Sequence, residues 1–169
     1  MRCMSTGMIW QTISTGSADT ERLGELLGKY LQGGEVLELR SDLGGGKTTF
    51  TRGLARGAGS KDMVASPTFT LSKIYEGKGA LQIHHFDFYR LNEPGVVADQ
   101  LAESLRDKKT VTVVEWGKIV ADVLPKARLS VVFEPVETNP DERKVTIVYS
   151  EELAGLVKNV EAGWAVSQP

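Results

Sequence analysis

The residues best equipped for chemistry stand together as Ser41-Asp42-Leu43-Gly44-Gly45-Gly46-Lys47-Thr48, with Thr49 and Phe50 after them. Three consecutive glycines let successive backbone N–H groups turn inward without a Cβ in the way. An apolar run, Val36 to Leu39, leads in, and a helical pattern from Thr48 to Ala58 leads out. A strand, a glycine-rich turn ending in Gly-Lys-Thr and a helix make the context of a phosphate-binding loop. The helix adds free N–H groups and a positive dipole end at the same place. In such a loop Lys47 reaches the β- and γ-phosphates of a nucleotide, and the Thr48 hydroxyl serves Mg2+. Ser41 departs from the usual pattern, which begins with glycine. Asp42 is an acid inside an anion-binding turn, so its side chain is expected to face solvent or brace the loop.

Two acids further along complete a nucleotide site. Asp87 sits in His84-His85-Phe86-Asp87-Phe88-Tyr89-Arg90-Leu91, where a strand meets a loop. A carboxylate there can hold a water on Mg2+ beside the phosphates. Its plainer reading is a turn-capping aspartate. The two adjacent histidines point to opposite faces of a strand, so one shared metal ion is disfavoured. Glu115 ends the β-branched run Thr110 to Val114, which has the form of a core parallel strand lying beside the loop strand. An acid at that end meets Mg2+ or the attacking water, and its plainer reading is a solvent-facing strand end. Trp116 reads as packing. Ser66-Pro67-Thr68 is rich in hydroxyls and is placed to act as a switch reporting the γ-phosphate. No Asn/Thr-Lys-x-Asp segment of the guanine-reading kind occurs, which favours ATP over GTP.

The elements needed to position these groups are legible as periodicities. Met8 to Ile13 reads as a strand. A helix from Ala18 gathers Leu23, Leu26, Leu27, Tyr30 and Leu31 on one face and stops at Gly33-Gly34. Glu35 to Arg40 is the strand feeding the loop. In the helix after it, Phe50, Leu54, Ala55 and Ala58 face inward and Arg52 and Arg56 outward, while Gly53 marks close packing. Thr68 to Tyr75 and Ala80 to Phe86 form a hairpin around Gly77-Lys78-Gly79. Val96 to Lys108 is a helix, and Ile119 to Leu124 a short one. Arg128 to Glu134 and Lys144 to Tyr149 make a second hairpin across a turn over 135–143. A last helix spans Glu151 to Val160, and 161–169 is expected to be a loose tail. The fold class is therefore α/β: one phosphate-loop domain over 1–160, a three-layer sandwich with a mixed, mostly parallel central sheet and hairpin additions.

The chain has 169 residues, 41% hydrophobic and 25% charged, with a formal net charge of −2. That length suits one domain, and the charge gives no reason for a nonspecific grip on nucleic acid. A single cysteine, Cys3, excludes an internal disulfide and any cysteine-based metal cluster. No apolar stretch is long enough to span a membrane, and Met1 to Gly7 lacks a signal-peptide core. A cytoplasmic protein is expected.

The motifs in this order resemble the TsaE family, the bacterial phosphate-loop ATPases of tRNA threonylcarbamoyladenosine biosynthesis. The likeness runs from about Thr20 to Phe133. It rests on Asp42 to Phe50, Arg52-Gly53-Leu54-Ala55-Arg56-Gly57, Ser66-Pro67-Thr68-Phe69-Thr70-Leu71, His85 to Leu91, and Glu115-Trp116. The resemblance implies a weak, partner-dependent, Mg2+-dependent ATPase that acts on a transferase core of TsaD and TsaB, with tRNA contacted indirectly and no membrane. It implies that Asp42 to Thr49, with Lys47 at its centre, binds ATP. Thr48, Asp87 and Glu115 are implied to serve the metal, with Lys47, Asp87 and Glu115 catalytic. Thr68 matches a switch-like threonine, and Thr20 a threonine near the nucleotide. Ser41, and the stretch Asn92 to Gln100 with its Pro94-Gly95, depart from the family pattern. Two alternatives stand beside this reading: a small-molecule kinase on the same scaffold, and a nucleotide-dependent scaffold protein.

Overall fold

All residues of Thr110–Glu115 (β5) are buried. A β-branched run apolar on both faces suits a strand covered by helices on either side. This strand pairs in parallel with Val36–Arg40 (β2) on one side and Gln82–Asp87 (β4) on the other. The computed structural model describes residues 7–167. Cys3 and the expectation for the first residues lie outside the described residues, as do Gln168 and Pro169.

Four more strands complete the sheet: Met8–Ser14 (β1), Ser72–Glu76 (β3), Leu129–Val136 (β6) and Asn139–Tyr149 (β7). Their order is β1-β7-β6-β2-β5-β4-β3. The centre, β6-β2-β5-β4, is parallel, and antiparallel strands close both edges. The sheet is thus mixed, with both expected hairpins present as β3–β4 and β6–β7.

Helices Ser17–Lys29 (α1), Lys47–Gly57 (α2) and Ala154–Ser167 (α4) cover one face. There Leu23, Leu27, Phe50, Leu54, Val160 and Trp164 pack on Leu37, Leu39, Val113 and Val131. Helix Val97–Arg106 (α3) and the 3-10 turn Gly117–Val120 cover the other, over Val36, Phe86 and Val114. Strand parity does the sorting: Leu37 and Leu39 go to one core, Val36 to the other.

Glu38 faces the α3 side from the middle of β2, buried at 2% exposure. A carboxylate there needs partners. Arg128 donates to it from Nε at 2.8 Å, and Arg40 makes two further bonds. This pairing ties the strand that feeds the loop to β6.

Helices α1 and α2 cross with their backbones touching. A Cβ on Gly53 would stand 1.8 Å from the Glu21 carbonyl oxygen, and one on Gly24 2.1 Å from that of Phe50. Only glycine permits that approach. Arg56 straps the crossing by donating to Glu25 Oε2 at 2.7 Å and to Glu21. Gly53→Ala is therefore expected to lower the unfolding free energy by about 3 kcal/mol. Gly155, exposed in α4 with nothing within 4 Å of its missing Cβ, is the control. Measured by urea titration alongside Gly53→Ala, Gly155→Ala should be neutral or gain up to ~1 kcal/mol. A neutral Gly53→Ala would contradict the close crossing.

Several local expectations are corrected. The tail from Glu161 is not loose as far as the described residues reach: α4 continues to Ser167. The reason is Trp164, buried at 4% exposure, which donates from Nε1 to Thr12 Oγ1 at 2.6 Å and carries Arg22 over its ring. Strand β3 begins at Ser72, not Thr68, because Leu71 N–H closes a turn on the Pro67 carbonyl at 2.6 Å and Leu71 takes φ +66°. The second hairpin is longer than its Pro, Asn and Asp content suggested: Pro135 pairs with Arg143 and Val136 with Asn139, around a bulge. Tyr30 is exposed, not part of the inner face of α1. The short helix expected over Ile119 to Leu124 is a 3-10 turn, Gly117–Val120.

Candidate functional site

The register of the central strands assembles the site. Asp87 pairs with Glu115, and Leu39 pairs with Glu115 from the other side. Both carboxylates therefore stand beside the point where β2 gives way to the glycine-rich turn. Odd-numbered residues of β4 and β5 face the α1–α2 side, as Ile83 and Val113 show. Asp87 and Glu115 share that parity and point toward the start of α2.

The geometry of the turn suits an anion. Gly44 has φ +73° and Gly46 φ +109°, a region that costs a side chain dearly. Gly46 caps α2 without any side-chain hydrogen bond to its first-turn amides, so those N–H groups keep their capacity for a ligand. A Cβ on Gly44 would meet nothing within 4 Å, so the loop is open on that side. Asp42 is exposed, as expected of an acid there.

Lys47, 6% exposed, folds back on the loop. Its ammonium donates to Ser41 Oγ at 2.8 Å and to the Asp42 carbonyl at 3.1 Å. Ser41 thus gains a definite task, a hydroxyl held against the lysine. Burial pushes the Lys47 ammonium below its ordinary range, against the opposing pull of Glu115, Asp87 and Asp42.

Both acids are buried, Asp87 at 2% and Glu115 at 3% exposure. Thr68 donates from Oγ1 to Asp87 Oδ2 at 2.6 Å, and the Tyr89 N–H donates to Oδ1 at 2.9 Å. Ser66 Oγ lies 2.7 Å from Thr68 Oγ1 and extends that chain of hydroxyls. Glu115 Oε1 lies 2.8 Å from His85 Nε2. One cleft is lined by Lys47, Thr48, Thr68, Asp87, Glu115 and Trp116, together with Leu43 and the three glycines.

Thr20 sits on the other flank of the loop. Its methyl carbon is 3.5 Å from where a Gly46 Cβ would be, and its hydroxyl lies 2.7 Å from Ser14 Oγ. A second recess there joins Thr20, Thr49 and the loop glycines with Asp141 and Arg143. The two flanks place Thr20 and Thr68 on opposite sides of the loop.

The donor set fits ATP with Mg2+. Uncapped amides, open glycines and a buried ammonium suit phosphate. Thr48, Asp87 and Glu115 supply the oxygens that a hard cation prefers. Among the described residues no cluster of three or more His, Cys, Asp or Glu side chains forms an all-protein metal cage. Mg2+ is ordinarily held by one or two carboxylates plus phosphate oxygens, so such a cage is not needed. The histidine pair diverges as strand parity requires: the His84 ring packs tilted against Phe86, centroids 4.0 Å apart, and burial lowers the His84 pKa to about 4. No described helix is long and apolar enough to cross a membrane.

Four residues at these two clefts were given no working role from the sequence. Trp116 takes φ +56° directly after Glu115 and lays its ring 4.8 Å from Lys47 Nζ, with Tyr89 4.9 Å from it on another side. A bulky residue held in that region is a feature of functional sites. Its position after a strand-end acid was the available signal. His85 could have been found by parity, two residues before Asp87. Asp141 and Arg143 lie about a hundred residues from the loop in sequence, and no local pattern announces them.

Residues 14–145 match the family model described as "Threonylcarbamoyl adenosine biosynthesis protein TsaE". A Bacillus subtilis (strain 168) protein named tRNA threonylcarbamoyladenosine biosynthesis protein TsaE is 36% identical over 137 residues, 81% of this chain and 82% of the relative. A Treponema pallidum (strain Nichols) protein of the same name is 38% identical over 119 residues, 70% of this chain and 87% of the relative. The crystal structure of Bacillus subtilis YdiB superposes with a TM-score of 0.77 at 30% identity, covering 93% of this chain and 97% of that one.

Proposed function

The chain belongs to the TsaE family, and from that membership we propose that it is an ATP-binding, Mg2+-dependent ATPase supporting threonylcarbamoyladenosine formation on tRNA. Its activity is weak alone and rises on a transferase core of TsaD and TsaB. The observation that carries this reading is the pairing of Asp87 with Glu115 beside the Lys47 loop. A bare glycine-rich turn would lack those two buried acids.

In this reading the loop amides and Lys47 bind the triphosphate, and Lys47 offsets charge developing on the transferred group. Thr48 and Asp87 hold Mg2+, with Glu115 sharing that task or orienting the attacking water. Bound Mg2+ supplies Lewis-acid charge to the phosphate oxygens. Thr68, bonded to Asp87, couples the Ser66–Leu71 segment to the metal side of the site. That contact supports the switch reading: a change at Asp87 is felt at once by the segment next to exposed Phe69. The action is on the partner, and tRNA is reached through it.

The test is complementation. In a bacterium depleted of its own family member, this chain should restore threonylcarbamoyladenosine to tRNA, and Lys47→Ala should not. Equal restoration by both would contradict an ATP-dependent role and favour a scaffold. Nucleoside or sugar phosphorylation by the purified chain, with no effect on tRNA, would favour a kinase.

A further inference from the structure

We propose that His85 is a positioning residue for Glu115: it fixes the carboxylate through one oxygen and keeps it from closing onto Lys47. This rests on the reading of Glu115 as a working acid of an ATP site. In the β4–β5 register His85 lies opposite Val113, so it stands diagonally behind Glu115 on the same face. It is fully buried, and its Nε2 is 2.8 Å from Glu115 Oε1.

A carboxylate has no hydrogen to give, so Nε2 must carry the proton. The other ring nitrogen, Nδ1, finds no hydrogen-bond partner among the described residues. The ring therefore presents an Nε2–H aimed at one carboxylate oxygen. Tyr75 packs 6.2 Å from the imidazole, and its own hydroxyl is anchored to the Ala65 carbonyl at 2.9 Å. The imidazole has little freedom to turn.

The two acids are thus oriented by different devices. Asp87 is held by Thr68 and Tyr89 N–H, both from segments that line the cleft. Glu115 is held from the core by His85. Without that bond, attraction to the nearby Lys47 ammonium would draw the carboxylate across the cleft. With it, Oε1 is engaged, and no described residue bonds to Oε2. Lys47 remains on Ser41 and the Asp42 carbonyl.

The experiment has two readouts. In the nucleotide-free protein, nitrogen-15 NMR of the imidazoles should show one ring protonated at Nε2, with a proton slow to exchange. Glu115→Ala should make that proton exchange freely. In partner-stimulated ATP hydrolysis, His85→Leu should lower kcat by roughly 10- to 100-fold and leave KM for ATP within about 3-fold. His85→Gln, whose amide N–H can stand near Nε2, should recover most of the rate. A ring without a proton at Nε2, or an unchanged kcat in His85→Leu, would overturn the proposal. So would a fall in kcat with a matching rise in KM and no rescue by glutamine, the pattern of a merely structural histidine. If His85→Leu does not fold, the spectrum and His85→Gln decide alone. A wild-type chain that hydrolyses no ATP would overturn the nucleotide reading instead, and the spectrum would still judge the contact.

Discussion

Lys47→Ala is expected to reduce ATP affinity and turnover by on the order of 10²- to 10³-fold, the largest effect of any single substitution in this chain. The reason is that Lys47 is the cation at the centre of the loop, buried and aimed by Ser41 and the Asp42 carbonyl. Burial already disfavours its charge in the free protein. A triphosphate returns partners to it, so binding and charge reinforce each other. The loss should be specific to phosphate: calorimetry should show ATP and ADP affinity falling together. Stability should change little, since the bonds lost are to Ser41 and Asp42, neither of which is buried. Wild-type affinity in Lys47→Ala would show that the glycines and helix N-terminus bind without the lysine.

The second large effect concerns the acids. Glu115→Gln should lower turnover by about 10²-fold or more while leaving ATP binding nearly intact. Glutamine keeps an oxygen for His85 to donate to, so the buried contact survives and the change removes charge alone. Glu115→Ala is the poorer probe, because it strands the His85 donor in the core at a cost of about 1–3 kcal/mol. Asp87→Asn should act similarly: Tyr89 N–H keeps its acceptor, and the Thr68 hydroxyl can reverse its bond. Steady-state kinetics with folding checked by melting would separate the effects. Near-normal turnover in both variants would place the metal side of the site elsewhere.

Much of this site was legible because local chemistry announced it. Gly44-Gly45-Gly46-Lys47-Thr48 needs only its own strand and helix, and β2 and α2 occur within a residue or two of where periodicity puts them. Asp87 and Glu115 were marked by strands that end in acids. Their direct pairing was not readable, since parallel register is set by packing across the sheet and not by either strand alone. The same limit hid His85, whose neighbour and parity were visible but whose diagonal partner was not. Arg56 illustrates a different loss. It read simply as an outward-facing base, yet it is paired across the helix crossing with Glu21 and Glu25 of α1. Residues 161–167 read as loose because only Trp164 is large, and its anchor, Thr12, is 152 residues away. Thr68 read as a strand residue because a hydroxyl-rich β-branched run looks extended. The turn at Leu71 frees it to reach Asp87.

The most direct test of the account is ATP hydrolysis by the purified chain, measured alone and again with the matching TsaD–TsaB heterodimer. A slow rate alone, a large rise on mixing and loss of that rise in Lys47→Ala is the result expected. A fast rate alone that the heterodimer leaves unchanged would contradict a partner-driven ATPase.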